Sequence, residues 1–106
     1  MKCLLVLLLA ASNVVFVPSG ILATPKRFDR QNVTVMGTVE SLSVHGTGPR
    51  TFFTAFQLCD SQCINVINPG VPNVVTGKTA RVNGTFYTFF ARGPVRMHDV
   101  IVVDAQ

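Results

Sequence analysis

The 106-residue chain has no Trp, a single Tyr, two His and only 13% charged residues. So few charges, with no apolar heptad anywhere, exclude a helical coiled coil. The five acidic residues are scattered, so the clustered carboxylates that a metal-dependent nuclease needs are missing. Two His and no Ser in a nucleophile-elbow motif give neither a triad nor a carboxylate pair. No enzymatic activity is expected, and no metal or cofactor. No uninterrupted apolar run reaches the ~20 residues of a spanning helix. What the chain does have is apolar bulk, at 48%, which excludes a disordered polypeptide.

The N-terminus has the layout of an address. Met1-Lys2 is a short basic start, Cys3 to Ala11 an apolar run, and Val14 to Val17 a second one after Ser12-Asn13. Pro18-Ser19-Gly20 then breaks any helix, and Ile21-Leu22-Ala23 ends on a small residue. This order predicts a signal peptide over 1–23, cleaved after Ala23, and hence an exported protein, periplasmic or secreted. A retained anchor is the alternative, but it would hold Ser12-Asn13 in mid-bilayer, so no membrane span is expected once the leader is cut. Cys3 precedes the apolar run, where a lipidated Cys would follow it.

Removing residues 1–23 of the 106 leaves 83, a small domain that buries about 60–65% of its unfolded surface. Eight basic residues against five acidic give that part a charge of +3. Residues 24–31 read as a flexible lead, and 32–106 as one folded domain. Within it apolar residues alternate: Val33, Val35, Val39, then Leu42 and Val44; Phe52, Thr54, Phe56, Leu58; Ile64, Val66; Ala80, Val82, Phe86; and Val100 to Val103. A period of two with β-branched and aromatic residues predicts strands. His45-Gly46-Thr47-Gly48-Pro49, Asp60-Ser61-Gln62, Asn68-Pro69-Gly70 and Ala91-Arg92-Gly93-Pro94 punctuate them. Gly37 and Asn83-Gly84 read either as reversals or as bends in long strands, and bends leave segments long enough to wrap a barrel.

This order of signals resembles the OB-fold family. Val33-Thr34-Val35-Met36-Gly37-Thr38-Val39-Glu40 is similar to its glycine-bent opening strand. Phe56-Gln57-Leu58-Cys59-Asp60 with Ile64-Asn65-Val66 is similar to its second hairpin. Gly77-Lys78-Thr79-Ala80-Arg81-Val82-Asn83-Gly84-Thr85-Phe86 resembles its fourth strand, and Ile101-Val102-Val103 the closing one. The resemblance implies an all-β, five-stranded OB-fold-like Greek-key barrel after the signal peptide. Pro69 to Gly77 is too short and broken for the helix that many members place there, so Val71, Val74 and Val75 are expected to plug that end. An immunoglobulin-like sandwich would want about seven strands and a buried Trp.

Cys59 and Cys63 bracket the loop of the second hairpin, at positions that face each other closely enough for a disulfide in an oxidising compartment. The resemblance further implies ligand binding on the outer face of the second and third strands, through aromatic and basic residues: Arg50, Phe53, Gln57, Asn65, Lys78, Arg81, Tyr87 and Arg92. Single-stranded nucleic acid is the expected partner, with bases stacked on rings and phosphates paired with Arg. The alternative is an exported module for glycan, peptide or envelope protein. Phe56, Phe86 and Phe90 are expected in the core, and His98 at a strand end on the surface. A haem carrier of similar fold would need a Tyr shortly after its His; His98 is followed by Asp99-Val100-Ile101-Val102.

Overall fold

The computed structural model describes residues 14–45, 53–70, 73–93 and 95–103. Arg50, Phe52, Val71 and the Gly46–Pro49 part of the first loop lie outside the described residues. The domain is all-β: β1 (Asn32–His45), β2 (Phe53–Cys59), β3 (Cys63–Pro69), β4 (Thr79–Arg92) and β5 (Val95–Val103). Pairing runs β1-β2-β3-β5-β4, and β4 pairs back onto β1, so the strands form a ring. Only β3 with β5 is parallel, over Asn65–Ile67 and Val100–Val102.

Two strands, β1 and β4, exchange one partner for the other along their length, and a glycine stands at each changeover. β1 pairs with β4 through Thr38 and with β2 from Thr38 onward. At Gly37 a Cβ would lie 3.0 Å from both the backbone nitrogen and the oxygen of Cys59, so β2 can approach only because no side chain is there. β4 pairs with β1 as far as Thr85 and with β5 from Gly84. A Cβ on Gly84 would collide with the Val102 carbonyl oxygen. Asn83-Gly84 is therefore a bend inside one 14-residue strand, not a hairpin. β1 also carries a bulge between Glu40 and Ser43, with Ser41 at φ 55°. Leu42 and Val44, beyond it, are exposed.

The inward positions of the alternation make the core: Val33, Val35, Val39, Phe56, Leu58, Ile64, Val66, Val82, Phe86 and Ile101. Thr54 is the buried polar residue among the described ones, and its hydroxyl donates to the Gly70 carbonyl at 2.7 Å. Phe90, expected in this core, is only half-buried and stands outside it, because β4 and β5 continue past the barrel as a two-stranded arm. That arm starts β5 at Val95, not Val100 as the alternation suggested, which puts His98 in mid-strand, though on the surface as expected.

The N-terminal segment differs most from its sequence reading. Pro18 does not break a helix but begins one, α1 (Pro18–Leu22), and Pro25 begins α2 (Pro25–Phe28). Proline suits a first helical turn, where its missing N–H leaves no bond unmade. Residues 24–31, expected as a flexible lead, are folded: Arg30 N–H donates to the Phe86 carbonyl at 2.6 Å, and Phe86 N–H to the Gln31 carbonyl at 3.0 Å. Ile21 of α1 is 0% exposed and belongs to the core cluster. Of the residues expected to plug one end, Val74 packs at the core's edge and Val75 is 60% exposed, while Val71 lies outside the described residues.

Candidate ligand-binding face

Residues that alternate with the core point outward, and the pairing fixes which of them are neighbours. Gln57 stands opposite Asn65, Asn65 opposite Val100, and Val100 opposite Tyr87. Glu40 extends this row on the β1 side. At ~4.8 Å per strand the row from Glu40 to Tyr87 covers roughly 19 Å of sheet surface. Next to it runs an apolar row, Ala55, Ile67 and Val102, and beyond that Phe53 opposite Pro69. Ala55, Ile67 and Val100 are buried although they are not in the barrel core. The apolar middle of the face is therefore largely closed to solvent, with polar groups and rings around it.

The rings form two clusters. At one end Phe53 stacks on His45, with centroids 5.3 Å apart and planes 19° from parallel. The Ser43 hydroxyl lies 2.8 Å from Nε2 of that His. At the other end Phe89 faces His98 across β4 and β5, with ring centroids 5.0 Å apart. Tyr87 lies two residues before Phe89 on β4, and its ring leans on Phe90 at 5.2 Å. Phe89 is 47% exposed, a large apolar surface for one ring to leave in water. Between the clusters, Gln57 Nε2 donates to Asn65 Oδ1 at 3.4 Å, and Asn65 Nδ2 to the His98 carbonyl at 3.1 Å. These bonds orient the two amides, and among the described residues Gln57 has one N–H and its carbonyl left for other partners.

Of the residues expected to bind, Phe53, Gln57, Asn65 and Tyr87 share this face. Among the described residues, the cations expected with them lie outside the rows between the ring clusters, and Arg50 lies outside the described residues. Arg81 stands opposite Met36 on the β1–β4 wall, six residues from Tyr87, which is about 20 Å along the strand. Lys78 lies just before β4, where its N–H donates to Val75 and its carbonyl accepts from Val39. Arg92 ends β4 opposite Val95, at the tip of the arm, with Arg96 nearby opposite Ala91. Among the described residues in the rows between the two ring clusters, Glu40 is the one that carries a formal charge. The sequence reading missed Phe89, His98, His45 and Glu40 as members of the face.

The Cys59–Cys63 disulfide is present, with Cα atoms 4.0 Å apart. Its loop is further held by Asp60, whose Oδ1 accepts Gln62 N–H at 3.1 Å. The same carboxylate takes Ser19 N–H at 3.1 Å and the Ser19 hydroxyl at 2.5 Å. The Ser19 hydroxyl, and then the Gln62 N–H, hold the Asp60 carboxyl below the usual carboxylate range. Asp60 thus ties α1 to the β2–β3 hairpin and has no part in the ring-lined face. No helix among the described residues is long and apolar enough to cross a membrane. No protein-family profile matches the sequence, and no curated protein is significantly similar to it.

Proposed function

We propose that the chain is an exported, non-catalytic binding module of OB-fold-like architecture, whose outer face on β2, β3, β5 and β4 takes an elongated, uncharged ligand of the glycan class. The observation that carries this reading is the chemistry of the face. It offers rings at both ends and oriented amides between, and among the described residues the formal charge in the rows between the rings is the carboxylate of Glu40. Sugar rings present apolar faces for stacking and hydroxyls for amide hydrogen bonds. A phosphate backbone would need cations along the same track, and a carboxylate there repels it. The disulfide and the apolar start of the chain support export.

Single-stranded nucleic acid remains a second reading, favoured by Arg92 and Arg96 on the arm beyond the Phe89–His98 pair. Titration of the purified protein with a neutral oligosaccharide and with an oligothymidylate, each at low and high salt, separates the two. For the glycan reading, affinity is indifferent to salt, and Phe89→Ala and Asn65→Ala each weaken binding about tenfold, or ~1.4 kcal/mol. Oligothymidylate binding that collapses with salt and is lost in Arg92→Ala would replace the glycan reading with the nucleic-acid one.

A further inference from the structure

The stretch from Val14 to Ala23 was read from sequence as leader, yet it is built into the barrel. Phe16 forms a parallel bridge with Val35: its N–H donates to the Thr34 carbonyl at 2.8 Å, and its carbonyl accepts Met36 N–H at 2.9 Å. Its ring meets Phe28 edge-on at 5.0 Å. Pro18 and Ile21 are fully buried, and Leu22 packs against the same core. Ser19 gives both of its donors to Asp60. A cut after Ala23 would take away Phe16, Pro18, Ser19, Ile21 and Leu22 together. It would open to water the space that Ile21 fills in the core cluster.

We infer that the mature chain keeps Val14–Ala23 as a structural strap, and that the leader is removed on the N-terminal side of Val14, within Ala10–Asn13. This rests on the export reading proposed above. The sequence there suits a leader peptidase: a basic start and the apolar run from Cys3 lead into Ala10-Ala11-Ser12, small residues on each side of a cut. The downstream alternative presents bulky Ile21 three residues before its cut, and in the folded domain that side chain belongs to the core.

The test is to express the full chain in a secreting host, recover the exported protein and read its first residue by N-terminal sequencing and intact mass. The expected first residue lies between Ala11 and Val14. A second variant, Ala23→Arg, puts a large charge at an exposed position directly before the downstream cut, and is expected to be processed as the unaltered chain is. A mature protein starting at Thr24, or failure of Ala23→Arg to be processed, would overturn the inference and leave export standing. A chain found only inside the cell with Met1 retained would remove the export reading, and this inference with it.

Discussion

Ile21→Ala tests whether the strap is part of the folding unit. The side chain is 0% exposed and touches core residues drawn from several strands, so truncation removes three carbons from a site that water does not reach. At ~0.8 kcal/mol per methylene the transfer loss is about 2.4 kcal/mol. The cavity left among strand-bound neighbours raises this to roughly 3–4 kcal/mol. A loss near 3 kcal/mol lowers the melting temperature of a domain this size by about 12–24 °C. Thermal and urea unfolding followed by circular dichroism would measure it, with Val17→Ala as the control. Val17 lies on the same strap but is 43% exposed, and its truncation is expected to cost less than about 1 kcal/mol. If Ile21→Ala and Val17→Ala unfold at the same midpoint, the strap does not belong to the core and the reasoning fails.

Three further outcomes follow from the same geometry. Cys63→Ser is expected to lower stability by about 2 kcal/mol, because the loop closed by the disulfide is short, and adding reductant to the unaltered protein should move its urea midpoint equally. Gly84→Ala places a methyl group against the Val102 carbonyl and should cost about 1–3 kcal/mol; a melting curve like that of the unaltered protein would mean that β5 can give way there. The Asp60 carboxyl titrates below its unfolded value, so its stabilisation is complete above about pH 4 and is lost as pH falls through the folded value. Stability measured against pH should therefore lose part of its acid decline in Asp60→Asn, and an unchanged profile would show that the Ser19 contact contributes nothing.

The strands were legible because a barrel core needs alternate residues apolar, and this chain supplies them with few interruptions from Val33 to Val103. Gly37 and Gly84 were legible as bends for a related reason. A strand that changes partners brings a third backbone within contact of one Cα, and only glycine leaves room. The strap was not legible. A leader and a barrel plug ask for the same residues, apolar ones ended by small and helix-terminating ones, so Phe16, Pro18 and Ile21 satisfied both descriptions. Proline placement held the discriminating signal: Pro18 and Pro25 each follow a residue with extended or irregular backbone and open a short helix.

The candidate face was half legible, and the missing half could have been counted. Alternation alone turned Phe53, Gln57 and Asn65 outward, because Phe56 and Leu58 had to point inward. Finding their neighbours needs register, and the Gly93-Pro94 turn supplies it. With two residues in the connection, Arg92 meets Val95, and stepping back three pairs brings Phe89 opposite His98. The same count takes Arg92 and Arg96 out to the tip and leaves Arg81 on the far wall. A basic sequence had suggested a basic face, but net charge is a property of the whole surface, whereas recognition depends on which rows share a wall. Here the rows that share a wall are aromatic and amide-bearing, and that moves the expected ligand from a polyanion toward a neutral chain.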